Sequence, residues 1–143
     1  MKKAVTTGLV FLMVIFTLTF VGCNSGEDNR IANIKDATAF CYYDSNYDVV
    51  REITLDHGTI EENIEQFLKN NIDSYQVNWE IVSDDEKVLV VAVKITAENN
   101  GSDYTNIFDF RQSKSDNRIA LYSATQNGQT SDINEIINLI FEN

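Results

Sequence analysis

The chain has no proline, one histidine, one tryptophan and two cysteines in 143 residues. Without proline there is no proline-rich tract. A single histidine and no paired thiols leave zinc without a ligand set, and nucleophilic catalysis with one base at most. Basic side chains are scarce as well: 11 Lys plus Arg face 22 Asp plus Glu, a formal charge of −11. That balance excludes a generic DNA or RNA binder, because phosphate binding needs a basic face to displace counterions. It argues equally against electrostatic docking onto anionic lipid. No Gly-x-Ser-x-Gly, Walker-type or dinucleotide glycine pattern occurs. Apolar residues at 43% and aromatics at 10% nevertheless exclude wholesale disorder. The length suits one ordinary domain.

Residues 1–23 read MKKAVTTGLVFLMVIFTLTFVGC. Lys2 and Lys3 precede an uncharged run from Ala4 to Gly22, the layout of a secretory signal. The run ends in Phe20-Val21-Gly22-Cys23. This ending resembles the lipobox of bacterial lipoproteins, in which a small residue precedes a Cys that receives diacylglycerol and becomes the new N-terminus. Gly22 and Cys23 match it, while Phe20 stands where Leu is usual and Val21 where Ala or Ser is. The resemblance implies a signal peptide over 1–22, a lipid (diacylglycerol and palmitate-type chains) on Cys23, and a domain facing the extracytoplasmic side of a cell membrane or outer membrane. The competing reading is an uncleaved anchor, since at about 1.5 Å per residue the run nearly spans a ~30 Å bilayer core. Removal of 1–22 would leave 9 basic against 22 acidic side chains, a formal −13. It would also leave Cys41 without an internal partner if Cys23 is acylated. Cys41 lies in the apolar run Ala39-Phe40-Cys41-Tyr42-Tyr43 and reads as a buried, inert thiol, with an intermolecular bridge as the alternative.

Asn24 to Arg30 is polar and reads as a flexible tether, completing a 23–30 segment of lipidated Cys plus tether before a single domain over 31–143. Ile31 to Tyr43 fits either a short helix or a strand. Asp44-Ser45-Asn46 marks a turn, and Val49, Arg51, Ile53 and Leu55 alternate as in a strand. Thr59-x-x-Glu62 after Gly58 is a capping box, and Ile60, Ile64, Phe67 and Leu68 make one stripe, so a helix is expected from about Ile60 to Asn70. Four strands are then expected. Tyr75, Val77, Trp79 and Ile81 alternate with polar residues; Val88 to Ala97 is apolar on both faces through Val93; Tyr104, Phe108 and Phe110 share a face; Arg118 to Thr125 is the fourth. Short connections favour antiparallel neighbours. Ile133, Ile136, Ile137, Ile140 and Phe141 form a terminal amphipathic helix, capped by Ser131 or Asp132. The expected fold is α+β: an antiparallel sheet of four strands, or five, packed by two helices as a two-layer sandwich and preceded by the N-terminal signal helix.

The stretch from Val49 to Asn143 resembles a loose group of small, mostly uncharacterised bacterial lipoprotein domains of helix–four-strand–helix order. The residues that carry the likeness are TIEENIEQFL, VNWEIVSDD, VLVVAVKI, NIFDF and the terminal helix. The order is also similar to one unit of the β-lactamase-inhibitor-protein architecture. Both likenesses are core patterns and imply fold more than function.

Chemistry is thinly represented. His57, in Asp56-His57-Gly58, reads as a turn residue before the helix cap and not as a catalytic base. Asp84-Asp85-Glu86 reads as a solvated hairpin. Asp44-Ser45-Asn46-Tyr47-Asp48 begins like a calcium loop, but Val49 replaces the required Gly and Leu55 the bidentate Glu. Trp79 with Tyr42, Tyr43, Tyr47, Tyr75, Tyr104 and Tyr122 could furnish a recognition surface; otherwise Trp79 packs under a helix. No catalytic, cofactor-binding or metal residue is assigned, and no nucleic acid partner. The expected role is a non-catalytic lipoprotein, anchored through Cys23, whose domain binds an extracytoplasmic protein or peptide. The alternatives are an inhibitor of an extracytoplasmic enzyme, a small-ligand carrier with a cavity between helices and sheet, and a small hydrolase using carboxylates.

Overall fold

The computed structural model describes residues 27–43 and 49–142. The expected signal segment 1–22, Cys23, tether residues 24–26 and the calcium-like loop Asp44 to Asp48 with its Tyr47 lie outside the described residues.

Ile31 to Tyr43 resolves into both of its readings. Helix α1 (Asn29–Lys35) starts inside the expected tether, where the Asp28 carboxylate accepts from the Arg30 N–H, and strand β1 (Ala39–Tyr43) follows. The interval Asp36 to Thr38 separates the two periods. After β2 (Val49–Thr54) comes α2 (Ile60–Asn71), entered through Gly58 at φ 69. Its capping box is complete: Thr59 Oγ1 accepts from the Glu62 N–H at 3.2 Å, and the Glu62 carboxylate accepts from the Thr59 N–H at 3.0 Å. Such a cap is worth about 1 kcal/mol.

Strands β3 (Ser74–Asp84), β4 (Val88–Asn99), β5 (Ser102–Ser113) and β6 (Ile119–Gln126) form the expected antiparallel meander. The β4–β5 turn places Asn100 and Gly101 at φ 55 and 79, the left-handed pair that a tight hairpin requires. The sheet is larger and less uniform than expected. Among the described residues it holds seven strands in the order β2-β1-β6-β5-β4-β3, with a short β7 (Gln129–Thr130) added on β6. It is mixed, because β1 runs parallel to β6 through Cys41↔Ala120 and Tyr42↔Leu121. The all-antiparallel sheet of four or five strands is therefore corrected. Short turns dictate antiparallel neighbours only within the meander; β1 reaches β6 across everything between them, and a parallel return needs such a length. The sheet is open, ending in β2 and β3.

Among the described residues, helices number three, not two. The terminal one begins as α3 (Ile133–Ile136), capped by Asp132, and widens into a π-turn over Ile137–Phe141 closed by Glu142 N–H to the Ile137 carbonyl at 3.0 Å. Ile137, Ile140 and Phe141 are all buried there.

One core joins the helices to one face of the sheet. Ile34, Ile60, Ile64, Leu68, Ile137 and Phe141 meet Phe40, Tyr42, Ile53, Leu89, Val91, Val93, Ile95, Phe108, Phe110 and Leu121. Each fully buried side chain of this size contributes about 1.5–3 kcal/mol. Phe110 is central, with Phe40 edge-on at 5.9 Å and the Trp79 ring stacked at 6.4 Å.

Exposed ion pairs tie the elements at the surface. Asp84 holds Arg30 of α1 and Lys114 of the β5–β6 turn, and Glu142 holds Arg51 of β2. Among the described residues, five carboxyls are held below their ordinary values. Asp28 falls to about 2 through its bonds from Arg30. Lys114 and then Arg30 act on Asp84, the Val88 and Lys87 N–H groups on Asp85, the Arg118 N–H on Asp116, and Arg51 on Glu142. A carboxyl depressed on folding stabilises above its unfolded value and ceases to as pH falls through its folded one. The thermal midpoint should therefore drop as pH is lowered from about 4 toward 2. Because these groups are exposed, the drop should shrink in high salt, which a calorimetric series in two buffers would read.

Candidate functional site

Where α2, the terminal helix and the far ends of β4, β5 and β6 converge, they leave a cleft of about 430 Å³. Ile64 of α2 and Ile140 of the terminal helix are buried at its inner side, and Ile137 and Phe141 are buried in the core outside its lining. Phe67, Leu68 and Ile72 form one wall; Ile136, Leu139 and Ile140 form the other. Leu139 is 49% exposed and stands at the lip. Ile95, Ala97 and Phe108 supply the apolar part of the floor.

The remaining floor is polar. Asn106 and Gln126 are direct partners across β5 and β6, and both line the cleft, with Tyr104 beside them. Asn106 lies on the inward side of β5 between Tyr104 and Phe108, opposite Ile95 of β4. An amide on that side interrupts an otherwise apolar stripe. Asp132 and Glu135 complete the lining with carboxylates. Apolar walls with a few convergent polar groups, at a volume of roughly 300–1,000 Å³, characterise ligand-binding clefts. This one can take an apolar side chain or short hydrocarbon body, with amide donors and acceptors below it and carboxylates near it.

Among the described residues, those that the sequence singles out lie elsewhere, except Tyr104. His57 is an exposed turn residue whose carbonyl accepts from the Asn63 side-chain amide at 2.8 Å. Cys41 is 2% exposed; its Sγ donates to the Ile119 carbonyl at 3.5 Å, and burial pushes the thiol pKa up. Asp84 and Asp85 have structural work: Asp84 holds the two cations already named, and Asp85 accepts from the Lys87 and Val88 N–H groups to close its turn. The described aromatics of that set do not form one surface. Tyr42 is buried and donates to Asn134 Oδ1 at 2.7 Å, anchoring the terminal helix. Tyr75 donates to Glu65 at 3.3 Å. Trp79 packs under α1, with Lys35 Nζ 5.7 Å from its ring centroid. Tyr43 and Tyr122 meet edge-to-face at 5.3 Å on the other face of the sheet, where the Arg111 guanidinium stacks on Tyr122 at 3.3 Å.

Sequence reasoning missed Asn106, Gln126 and the carboxylates of the cleft. The available signal was Asn106 itself, a polar residue at an inward position of β5. Among the described residues no group of three or more His, Cys, Asp or Glu is placed to hold a metal ion, and no helix is long and apolar enough to cross a membrane. No family model matches the chain, and neither a curated protein nor a solved structure matches it.

Proposed function

We propose that this chain is an extracytoplasmic lipoprotein, held at a cell membrane or outer membrane by lipid on Cys23, whose domain binds a protein or peptide partner without catalysis. The observation that supports binding is the cleft: its apolar walls fit an anchoring side chain, and the Asn106 and Gln126 amides offer hydrogen bonds to the backbone beside it. An anchor in a desolvated pocket is how most interfaces gain their affinity. The excess of carboxylates would steer a basic partner, including an enzyme that the domain inhibits, and such binding weakens with salt.

A small-ligand carrier is the second reading, favoured by the size of the cleft. A photoreactive residue at Leu139, introduced into the anchored protein in its native envelope, separates the two. A polypeptide adduct identified by mass spectrometry is the expected result. An adduct of small mass alone would favour the carrier, and absence of any adduct under several growth conditions would overturn both. The intact mass of the membrane-extracted protein tests the anchor: loss of 1–22 with added acyl mass is expected, and a mass retaining Met1 to Gly22 would overturn it.

A further inference from the structure

The two edges of the sheet differ in how they are guarded. β2 carries Arg51, paired with Glu142, and Glu52 beside it. β3 is longer, and among the described residues its only strand partner is β4. From Ser74 to Val82 it holds no Lys, Arg, Pro or Gly, and its one charge is Glu80. Its bulge comes late, between Ile81 and Ser83. Edge strands that stay single are normally broken by Lys, Pro or an early bulge, because their free N–H and C=O groups template further pairing. The inward side chains show the same incompleteness. Val91, Val93 and Ile95 of β4 are buried, whereas Tyr75, Val77, Trp79 and Ile81 beside them are only half-buried.

The regular part of β3 is also complementary to itself. In an antiparallel pair with a two-fold axis through Asn78, Val77 meets Trp79, Tyr75 meets Ile81 and Gln76 meets Glu80. From Tyr75 to Ile81 every inward apolar residue then faces an apolar one and every outward polar residue a polar one, while Ser74 meets Val82 at the bulge. No like charges stand opposite, and the Gln76 amide can donate to the Glu80 carboxylate. Moving the axis to Glu80 would set two carboxylates against each other, and moving it between residues would mismatch the faces. We propose that β3 pairs with the β3 of a second copy of this chain about Asn78, joining two sheets into one through an isologous interface. No β3 residue lines the cleft, so this inference stands or falls independently of the binding reading.

The pairing has a distinctive salt dependence. Each chain carries a formal −11, so the copies repel at long range, and the contact itself is almost uncharged. Added salt screens that repulsion, so self-association strengthens with ionic strength, opposite in sign to capture of a basic partner.

Full-length protein in detergent carrying Asn78→Cys, oxidised mildly, tests the register. At the axis the residue meets its own copy at about 4.5–5.5 Å between Cα atoms, within disulfide reach. Thr96→Cys, exposed on the outward face one strand in, lies beyond it and is compared against the same native cysteines. A reducible homodimer should form at least about tenfold more from Asn78→Cys. Sedimentation of the unaltered chain should show a dimer favoured by salt, and Asn78→Lys, which sets two cations together at the axis, should restore the monomer. Equal crosslinking from both cysteines, or a monomer at every ionic strength, would overturn the proposal. So would a disulfide from Asn78→Cys to a different protein in place of a second copy.

Discussion

Phe110→Ala should cost the domain about 3–5 kcal/mol, the range for deleting a fully buried aromatic ring. Phe110 is 0% exposed and sits where three layers of contact meet. Phe40 approaches edge-on from β1, Trp79 stacks from β3, and Val91 and Leu121 flank it in the register of β4 and β6. Phe40 in turn packs on Phe141 at 4.9 Å, so the ring supports the terminal helix through one intermediary. Phe40, Val91 and Leu121 belong to strands paired on both sides and cannot collapse into the space left behind. Net stability of a domain is only about 5–15 kcal/mol, so the loss should lower the thermal midpoint by roughly 10–20 °C. Phe67→Ala is the comparison. Phe67 is half-buried at the wall of the cleft, so its removal enlarges a space already open to solvent and should cost far less. Thermal denaturation of the two variants reads the contrast. Equal losses would mean that the cleft wall is packed as tightly as the core.

The elements legible in the sequence were those whose determinants are local. Thr59 and Glu62 bracket the start of α2 with two hydrogen bonds inside one turn, and the Ile60-Ile64-Leu68 stripe needs only the helical period. Asn100-Gly101 turns β4 into β5 for the same reason. Alternation in β3 and β5 placed the inward faces correctly, because the register of a hairpin follows from its turn. β1 was different. Its five residues carry an apolar run without alternation, and its neighbours in the sheet, β2 and β6, are fixed by distant contacts. The π-turn likewise reflects tertiary demand: Ile137, Ile140 and Phe141 are buried together at the cost of an ordinary helical ladder.

The cleft was illegible as a shape and partly legible as a composition. Its walls come from α2 and the terminal helix, its floor from the ends of three strands, and no local pattern reports that these elements leave a space there. Asn106 is the exception. Reading Tyr104, Phe108 and Phe110 as one face passes over the residue between the first two, which the same alternation places on that face. A polar side chain on a core-facing stripe must be hydrogen-bonded, hydrated or available to a ligand. Asn106 has no side-chain hydrogen bond to another described residue and opens into the cleft, which leaves the last two.

Asn106→Leu separates those roles by sign. If the amide serves the fold, its replacement lowers stability; if it serves a partner, an apolar residue of similar reach on an apolar floor leaves stability unchanged or raises it. Two methyls replace the amide oxygen and nitrogen with no added heavy atom, and Ile95 and Phe108 are there to meet them, so the thermal midpoint should hold or rise. Binding should move the other way. A partner whose polar backbone group had been satisfied by Asn106 would be left desolvated and unpaired, a loss of about 1–3 kcal/mol, which is roughly 5- to 150-fold in affinity. The photoreactive adduct at Leu139 should therefore fall in yield in a chain at least as stable as the original, a combination that misfolding cannot produce. An unchanged yield would show that the partner uses only the apolar walls. A lowered midpoint would assign Asn106 to the fold and withdraw it from the site.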